Sequence, residues 1–446
     1  MAIAMPDTLP VTFLDCTMVI SILETGRGLP QMGTAVSFGA RVDESRLERA
    51  LRLLLDAEPV LGCSLDSRAG KWRRLDPGNL DGWLQAVDAR DPESEAIAFA
   101  AAPLDPSDGP QVRALLLRSP EKDSLVLKAS HAAVDGLAAL EAAGLIGRFY
   151  RALAVDSAWT PTANNGAVRD FRSASTAMGM RERLKLIRSE DTRDPPSDWS
   201  IPYEFRRGGE TYATGSIEPV AFLALKDAGR NRGATVNDLL TTALYRSLWR
   251  VLRSSAGDKT PLTATADLRG AFPPGTRLGL ANFSAPWWVK ISREPDEDFD
   301  GTLSRVVART VEWKRNDLER AAAIGMGSVE GWMHGWRGVV FRRMLHGGID
   351  RVKADIKSSP GRTVPVLSNI GIIDEKALDF GPELPVDDVR FFGPIGLGPW
   401  IGLSASTFRN RLELSTGFDA EALDTELMRG IVDATVRELE EWASSA

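Results

Sequence analysis

The chain has 446 residues and a formal net charge of −7. That length exceeds what one hydrophobic core ordinarily serves and predicts two or three domains. The acidic balance argues against a general nucleic-acid binder, which needs a basic footprint, and leaves room only for a local basic patch facing an anionic cofactor.

Hydrophobic residues at 43% and charged residues at 26% are ordinary for a globular protein, and no apolar run reaches membrane-spanning length. The first residues, MAIAMPDTLPVTFLD, lack a basic start followed by a long apolar stretch, so no signal peptide is expected. Cys16 and Cys63 form neither a disulfide framework nor a CxxC pair, which suits a reducing compartment. A cytoplasmic location is expected, and the sequon Asn282-Phe283-Ser284 then reads as a chance match.

Residues 34–42 read as a strand, and Asp43 is a plausible N-cap for the helix that follows. Leu47, Leu51 and Leu54 repeat there on one helical face. Short strands are expected at 61–66 and 71–75 around a turn at 67–70. Longer ones are expected at 111–119 and 124–130, separated by a break at 120–123. A helix runs from Gly136 to about Leu153. Residues 154–200 are rich in Pro, Ser, Asp and Asn and read as a linker or crossover, with an amphipathic piece at 177–188.

The second half begins again with strands and helices. Residues 234–252 are a strong helix, in which Thr235 and Asp238 have capping-box spacing with Asp in place of Glu. Strands are expected at 261–270 and 285–292, a helix at 298–315, and strands at 364–373, 388–394, 400–407 and 411–418. The closing helix places Leu423, Leu427 and Ile431 on one face, beside Val432, Val436 and Leu439. Two mixed α/β halves, 1–190 and 191–446, are the expected domains.

Residues 124–144, SLVLKASHAAVDGLAALEAAG, combine these elements with chemistry. His131, one of only three histidines, stands where a strand stops, with Asp135 and Gly136 opening the next helix. Histidine titrates near neutrality and can take a proton from a nucleophile and return it within one turnover. Asp135 has two available jobs: capping the helix, or pairing with a distant arginine to lock the turn that aims His131. The plainer alternative is a hydrogen-bonded histidine at a strand end beside a simple cap.

SHAAVDG resembles the HHxxxDG signature of the CoA-dependent acyltransferase superfamily. This includes chloramphenicol acetyltransferase, nonribosomal peptide condensation domains, alcohol acetyltransferases, polyketide-associated acyltransferases and wax ester synthases. Further segments resemble the same superfamily in its expected order: PLDPSDGPQVRALLLR, GATVNDLLTTAL, ADLRG with Arg269, LANFSAP with Asn282, VLSNIG with Ser368 and Asn369, and LELSTGFDAEALD. The departure is Ser130 in place of the first histidine. LDFGPELP lacks the tryptophan and second glycine of the DFGWG motif and is set aside.

The resemblance implies two chloramphenicol-acetyltransferase-like α/β lobes in a V-shaped pseudo-dimer, with a channel between them. It implies acyl transfer from a thioester to a hydroxyl or amine of a small acceptor. The donor would be acyl-CoA or a phosphopantetheine-linked acyl group on an acyl or peptidyl carrier protein, with no permanently bound cofactor and no metal. His131 would be the general base and Asp135 would pair with Arg269. Backbone N–H groups near Gly136 would meet the oxyanion, and Ser368 or Asn369 would also line the site unless they only form a strand-end turn; Ser130, Asn282 and Trp287 are the further candidates for the substrate channel. A wax ester or acylglycerol synthase, and a non-catalytic carrier-docking module of the same fold, are the alternatives; survival of His131, Asp135, Gly136 and Arg269 favours an enzyme.

Other features have plainer readings. Cys63 reads as a small core residue, and His334 and His346 form no HExxH pair. GPIGLGPW, residues 393–400, breaks GxGxxG and reads as a loop. Trp287, Trp288, Trp332 and Trp336 either wall a channel for an apolar acyl group or pack in a core. Arg342, Arg343, Arg351, Lys353 and Lys357 either meet a phosphate or carrier, or form a solvated helix face.

Overall fold

The structure, a computed structural model, describes residues 7–15, 28–29, 31–66, 69–76, 83–120, 122–176, 197–204, 206–315, 318–333, 347, 350, 353–354, 357–358 and 361–445. Cys16, the amphipathic piece at 177–188, His334, Trp336, Arg342, Arg343, His346, Arg351 and the side chain of Trp332 lie outside the described residues.

In chain order the strands are β1 (Thr8–Pro10), β2 (Gly28–Leu29), β3 (Gln31–Phe38), β4 (Cys63–Asp66), β5 (Lys71–Arg74), β6 (Leu84–Asp88), β7 (Val112–Arg118) and β8 (Asp123–Ser130), then β9 (Glu210–Ile217), β10 (Thr260–Asp267), β11 (Ser284–Ile291), β12 (Val366–Ile372), β13 (Val386–Phe392), β14 (Ile395–Gly396), β15 (Gly402–Phe408) and β16 (Arg411–Asp419). The helices are α1 (Glu44–Ala57), α2 (Pro92–Ala101), α3 (Gly136–Val155), α4 (Arg172–Thr176), α5 (Pro219–Asn231), α6 (Val236–Val251), α7 (Phe299–Arg315), α8 (Leu318–Met333) and α9 (Thr425–Ser445).

Among the described residues, one sheet has the order β13-β3-β8-β7-β6 and a larger one the order β11-β10-β12-β15-β16-β14-β2, with β9 also pairing along β16. Each sheet has its own core. Leu47, Leu51 and Leu54 of α1 are fully buried in the first core, where α1 packs on α3. Leu239, Leu244 and Leu248 of α6 join Leu423, Ile431 and Val432 in the second. The local signals read from the sequence are in place. Asp43 caps α1 by accepting from the Arg46 N–H. Thr235 and Asp238 close a reciprocal capping box on α6.

Chain from each half enters the other half's sheet. β13 lies at the edge of the first sheet, paired antiparallel with β3, and β2 joins the second through β14. Periodicity marks a strand, but which edge it completes depends on non-local packing. Phe380, in the set-aside LDFGPELP segment, is buried with its ring 4.8 Å edge-on from Phe38, a packing role. Cys63 is likewise buried, its thiol pushed up to about 11 by burial. Lys353 and Lys357 are exposed. No helix among the described residues is long and apolar enough to cross a membrane.

β8 carries the histidine turn and is hydrogen-bonded on both edges, to β3 and β7. Lys128, three residues before the histidine, is 4% exposed. Its ammonium donates to the carbonyls of Phe99 (2.9 Å) and Ala102 (2.7 Å) at the end of α2. Burial lowers its pKa from the ordinary 10.5 to about 8. Between these values the unfolded chain keeps a proton that the folded one has released. Stability therefore rises with pH across that window, by up to about 1.4 kcal/mol per unit, and the gain is lost as pH falls through the folded value. Lys128→Met should remove this slope relative to the parent, as urea unfolding at a series of pH values would record.

Candidate active site

β8 ends at Ser130, and the chain turns tightly there. The N–H groups of Ala133 (3.0 Å) and Val134 (3.2 Å) donate to the Ser130 carbonyl, while its hydroxyl accepts from Ala132 N–H (3.3 Å). Ser130 is fully buried, so it closes the turn and does not reach a substrate channel.

Asp135 follows in extended conformation and caps α3. Its Oδ1 accepts from the Ala138 N–H (2.9 Å) and from Arg269 Nη2 (2.8 Å). Its Oδ2 accepts from Arg269 Nη1 (3.1 Å) and from the Phe283 N–H (2.7 Å). Both jobs open to this carboxylate in the sequence are thus done at once, one by each half of the chain. Burial alone would lower the Arg269 pKa, but Asp135, helped by Asp267, outweighs it and holds the guanidinium charged. The guanidinium also lies over the Phe283 ring, 5.2 Å from its centroid.

The His131 ring is 8% exposed. Its Nδ1 lies 3.0 Å from the Val134 carbonyl and 3.0 Å from Asn282 Oδ1. A backbone carbonyl only accepts, so Nδ1 carries a proton, and in the neutral ring Nε2 is the nitrogen with the lone pair. Asn282 therefore sits behind the imidazole as a hydrogen-bond partner and, at 2% exposed, off the cavity wall.

A cavity of about 390 Å³ lies between the two sheets, and His131, Asp135 and Gly136 line it from the first-sheet side. Ser368 and Asn369 of β12 line it from the second. The strand register explains the open space. Thr263, Val366 and Gly402 are aligned across β10, β12 and β15, with Ser368 beside Ser404 one pleat further on. Small side chains on that face leave room between the sheets. Gly136 has a packing reason: a Cβ there would stand 3.0 Å from Ile370 and 3.1 Å from Phe391.

Trp287 departs from expectation. It is buried in the second core, its ring stacked on Trp313 at 4.7 Å, and it does not wall the cavity. The tryptophan that does is Trp400, at the end of the segment read as a loop. A Cβ on Gly396 would come 2.6 Å from its indole and one on Gly402 3.2 Å, so these glycines seat the ring. Glycine spacing around a tryptophan was the available signal. Thr265, Ser284 and Met32 also line it, and nothing in the local pattern marked Thr265 or Met32. The titratable lining residues among those described are His131, Asp135 and Asp267, with no lysine or arginine. No group of three potential metal ligands occurs among the described residues.

No protein-family model matches the sequence, and no curated protein matches it. Solved structures do match the fold. The first condensation domain of the CDA synthetase is 17% identical with a TM-score of 0.68, covering 98% of this chain and 96% of that one. The trichothecene 15-O-acetyltransferase from Fusarium sporotrichioides is 13% identical with a TM-score of 0.73, covering 97% and 94%. A mutant starter condensation domain of rhizomide synthetase, in complex with C8-CoA and Leu-SNAC, is 14% identical with a TM-score of 0.65, covering 98% and 95%. The chain has the fold of these condensation domains and of this acetyltransferase over nearly its whole length.

Proposed function

We propose, from this shared fold and the cavity at His131, that the protein is an acyltransferase. It moves an acyl group from a thioester, on CoA or on a carrier protein's phosphopantetheine arm, to the hydroxyl or amine of a small acceptor. The observation that carries the reading is a histidine on the cavity wall with Nδ1 tied to the Val134 carbonyl, which leaves Nε2 to accept a proton. Nε2 takes the acceptor's proton as its oxygen or nitrogen attacks the thioester carbonyl. The new bond forms and the carbonyl becomes an oxyanion. Collapse breaks the C–S bond, and the leaving thiolate recovers the proton from Nε2. No covalent enzyme intermediate is required, because the thioester is already activated.

The developing oxyanion needs donors in place. The first-turn N–H groups of Gly136 and Leu137, on the wall at the positive end of α3, have no helical acceptor. Asn369 accepts from the Gly371 N–H through Oδ1 (2.9 Å), leaving its Nδ2 to donate. Ser368 shares a hydrogen bond with Thr265 (3.2 Å).

The lining supports a neutral, largely apolar substrate pair, since no cationic side chain among the described wall residues would meet a carboxylate or phosphate. Trp400 closes part of this space. Trp400→Ala should extend the preferred acyl or alkyl chain, each added buried methylene being worth about 0.8 kcal/mol, or about fourfold in kcat/KM. A chain-length profile unchanged by the substitution would remove Trp400 from the substrate wall.

The direct test supplies acyl-CoA and acyl-N-acetylcysteamine thioesters with neutral alcohols and amines, and follows free thiol and product mass. Acceptor-dependent thiol release above the level of His131→Gln is expected. Its absence across the panel, with folded protein, would leave a docking module of the same fold.

A further inference from the structure

The hydrogen bonds behind His131 reach an acidic residue far away in sequence. Asn282 Nδ2 lies 3.0 Å from the His131 carbonyl, 3.4 Å from the Ala132 carbonyl and 3.2 Å from Asp15 Oδ1. All three are acceptors, so the amide nitrogen points toward them and the amide oxygen toward the imidazole. Asp15 is 1% exposed. Its Oδ2 accepts from the Thr12 N–H (3.0 Å) and Trp72 Nε1 (3.1 Å), with Arg169 Nη2 at 3.5 Å. Arg169 in turn donates to the carbonyls of Leu280 (3.0 Å) and Ala133 (3.1 Å), on either side of the same junction.

We infer that Asp15 is a positioning residue for His131: it orients the Asn282 amide, and the oriented amide joins the Val134 carbonyl in holding the imidazole as the Nδ1–H tautomer with Nε2 as the base. The physical reason is directional. A carboxylate has only acceptor oxygens, so it attracts the amide's NH₂ end and rejects its carbonyl end. Were the amide to rotate, its NH₂ would face Nδ1, which would then have to accept. The Val134 carbonyl would still accept from Nδ1, so the ring would divide between the two tautomers and only the Nδ1–H fraction would keep the base. Asp15 donates nothing to the substrate and need not touch it. Arg169 supplies the counter-charge that makes a buried carboxylate tolerable there. The link needs all three side chains, because Asp15 and His131 themselves share no hydrogen bond.

The kinetic half of this inference rests on the acyl-transfer reading, but the tautomer does not. The chain has only three histidines, so ¹⁵N long-range imidazole spectra of the labelled protein are simple, and His131→Gln assigns the His131 signals by their loss. The parent should show His131 in the Nδ1–H form in the absence of any substrate. Asp15→Asn, nearly isosteric, should shift population into the Nε2–H form. Thiol-release kcat should fall in proportion to the lost Nδ1–H population, with KM changing less. Asn282→Ala should loosen the tautomer in the same direction and, because it leaves the Asp15–Arg169 pair itself intact, reports even where Asp15→Asn fails to fold. An Nε2–H parent, or Nδ1–H spectra unchanged in both variants, would overturn the inference. Expected tautomer shifts in a protein that transfers no acyl group would instead sink the functional reading and leave this one standing.

Discussion

His131→Ala should lower acceptor-dependent thiol release by about a thousandfold, within the range a positioned general base ordinarily contributes. The residual rate would come from binding and from the donors at the start of α3. The fold should persist. The ring's hydrogen bonds are the two of Nδ1, and removing it strands two acceptors, the Val134 carbonyl and Asn282 Oδ1. Both would face the space the ring vacates, which opens onto the cavity and admits water, so the loss should stay within about 1–3 kcal/mol. Circular dichroism and a thermal scan, run beside the thiol assay, separate the two effects. Parent-like turnover in a folded His131→Ala protein would end the general-base assignment.

Asp135→Ala should instead damage the fold first. The carboxylate accepts four hydrogen bonds, two of them from Arg269, and is 2% exposed. Its removal leaves a largely buried guanidinium without that partner and uncaps α3. Breaking a buried pair from one side typically destabilises by about 3–5 kcal/mol, and loss of a cap adds about 1 kcal/mol. Activity should fall with it, because the turn that aims His131 is held from below by this pair. The double substitution Asp135→Asn with Arg269→Met removes both charges and should recover part of the lost stability. Urea midpoints of the three variants and the parent decide this. A single Asp135→Ala with the parent's midpoint would show that the ion pair is not what joins the halves.

The two variants differ for a reason visible in the geometry. His131 faces the cavity and spends few contacts on the protein. Asp135 borders the same cavity, but its carboxylate is taken up by partners from both halves of the chain: Ala138 from α3, Arg269 from the turn after β10, and Phe283 from the entry to β11. Strand exchange by β13 and β2 adds backbone pairing to the same join. The cavity therefore depends on a boundary that neither half builds alone.

What could be read from the sequence was what physics settles within a few residues. Leu47, Leu51 and Leu54 declare a buried helix face by their spacing, Thr235 and Asp238 declare a helix start, and Ser130 to Gly136 declare a strand, a turn and a helix. Those signals depend on period and capping, which are local. The residues around His131 were legible for the same reason, helped by their resemblance to a known signature. Tertiary structure alone decided which side chains meet. The alternation along β11 puts Trp287 and Trp288 on opposite faces, but only packing against Trp313 decided that Trp287 belongs to the core. Trp400 became a cavity wall because two glycines, one on β14 and one on β15, seat it. Asp15 meets Asn282 across 267 positions of chain, a separation over which no periodicity carries information. A hydrogen bond is short-ranged and directional, so its partners are chosen by where the folded backbone delivers them.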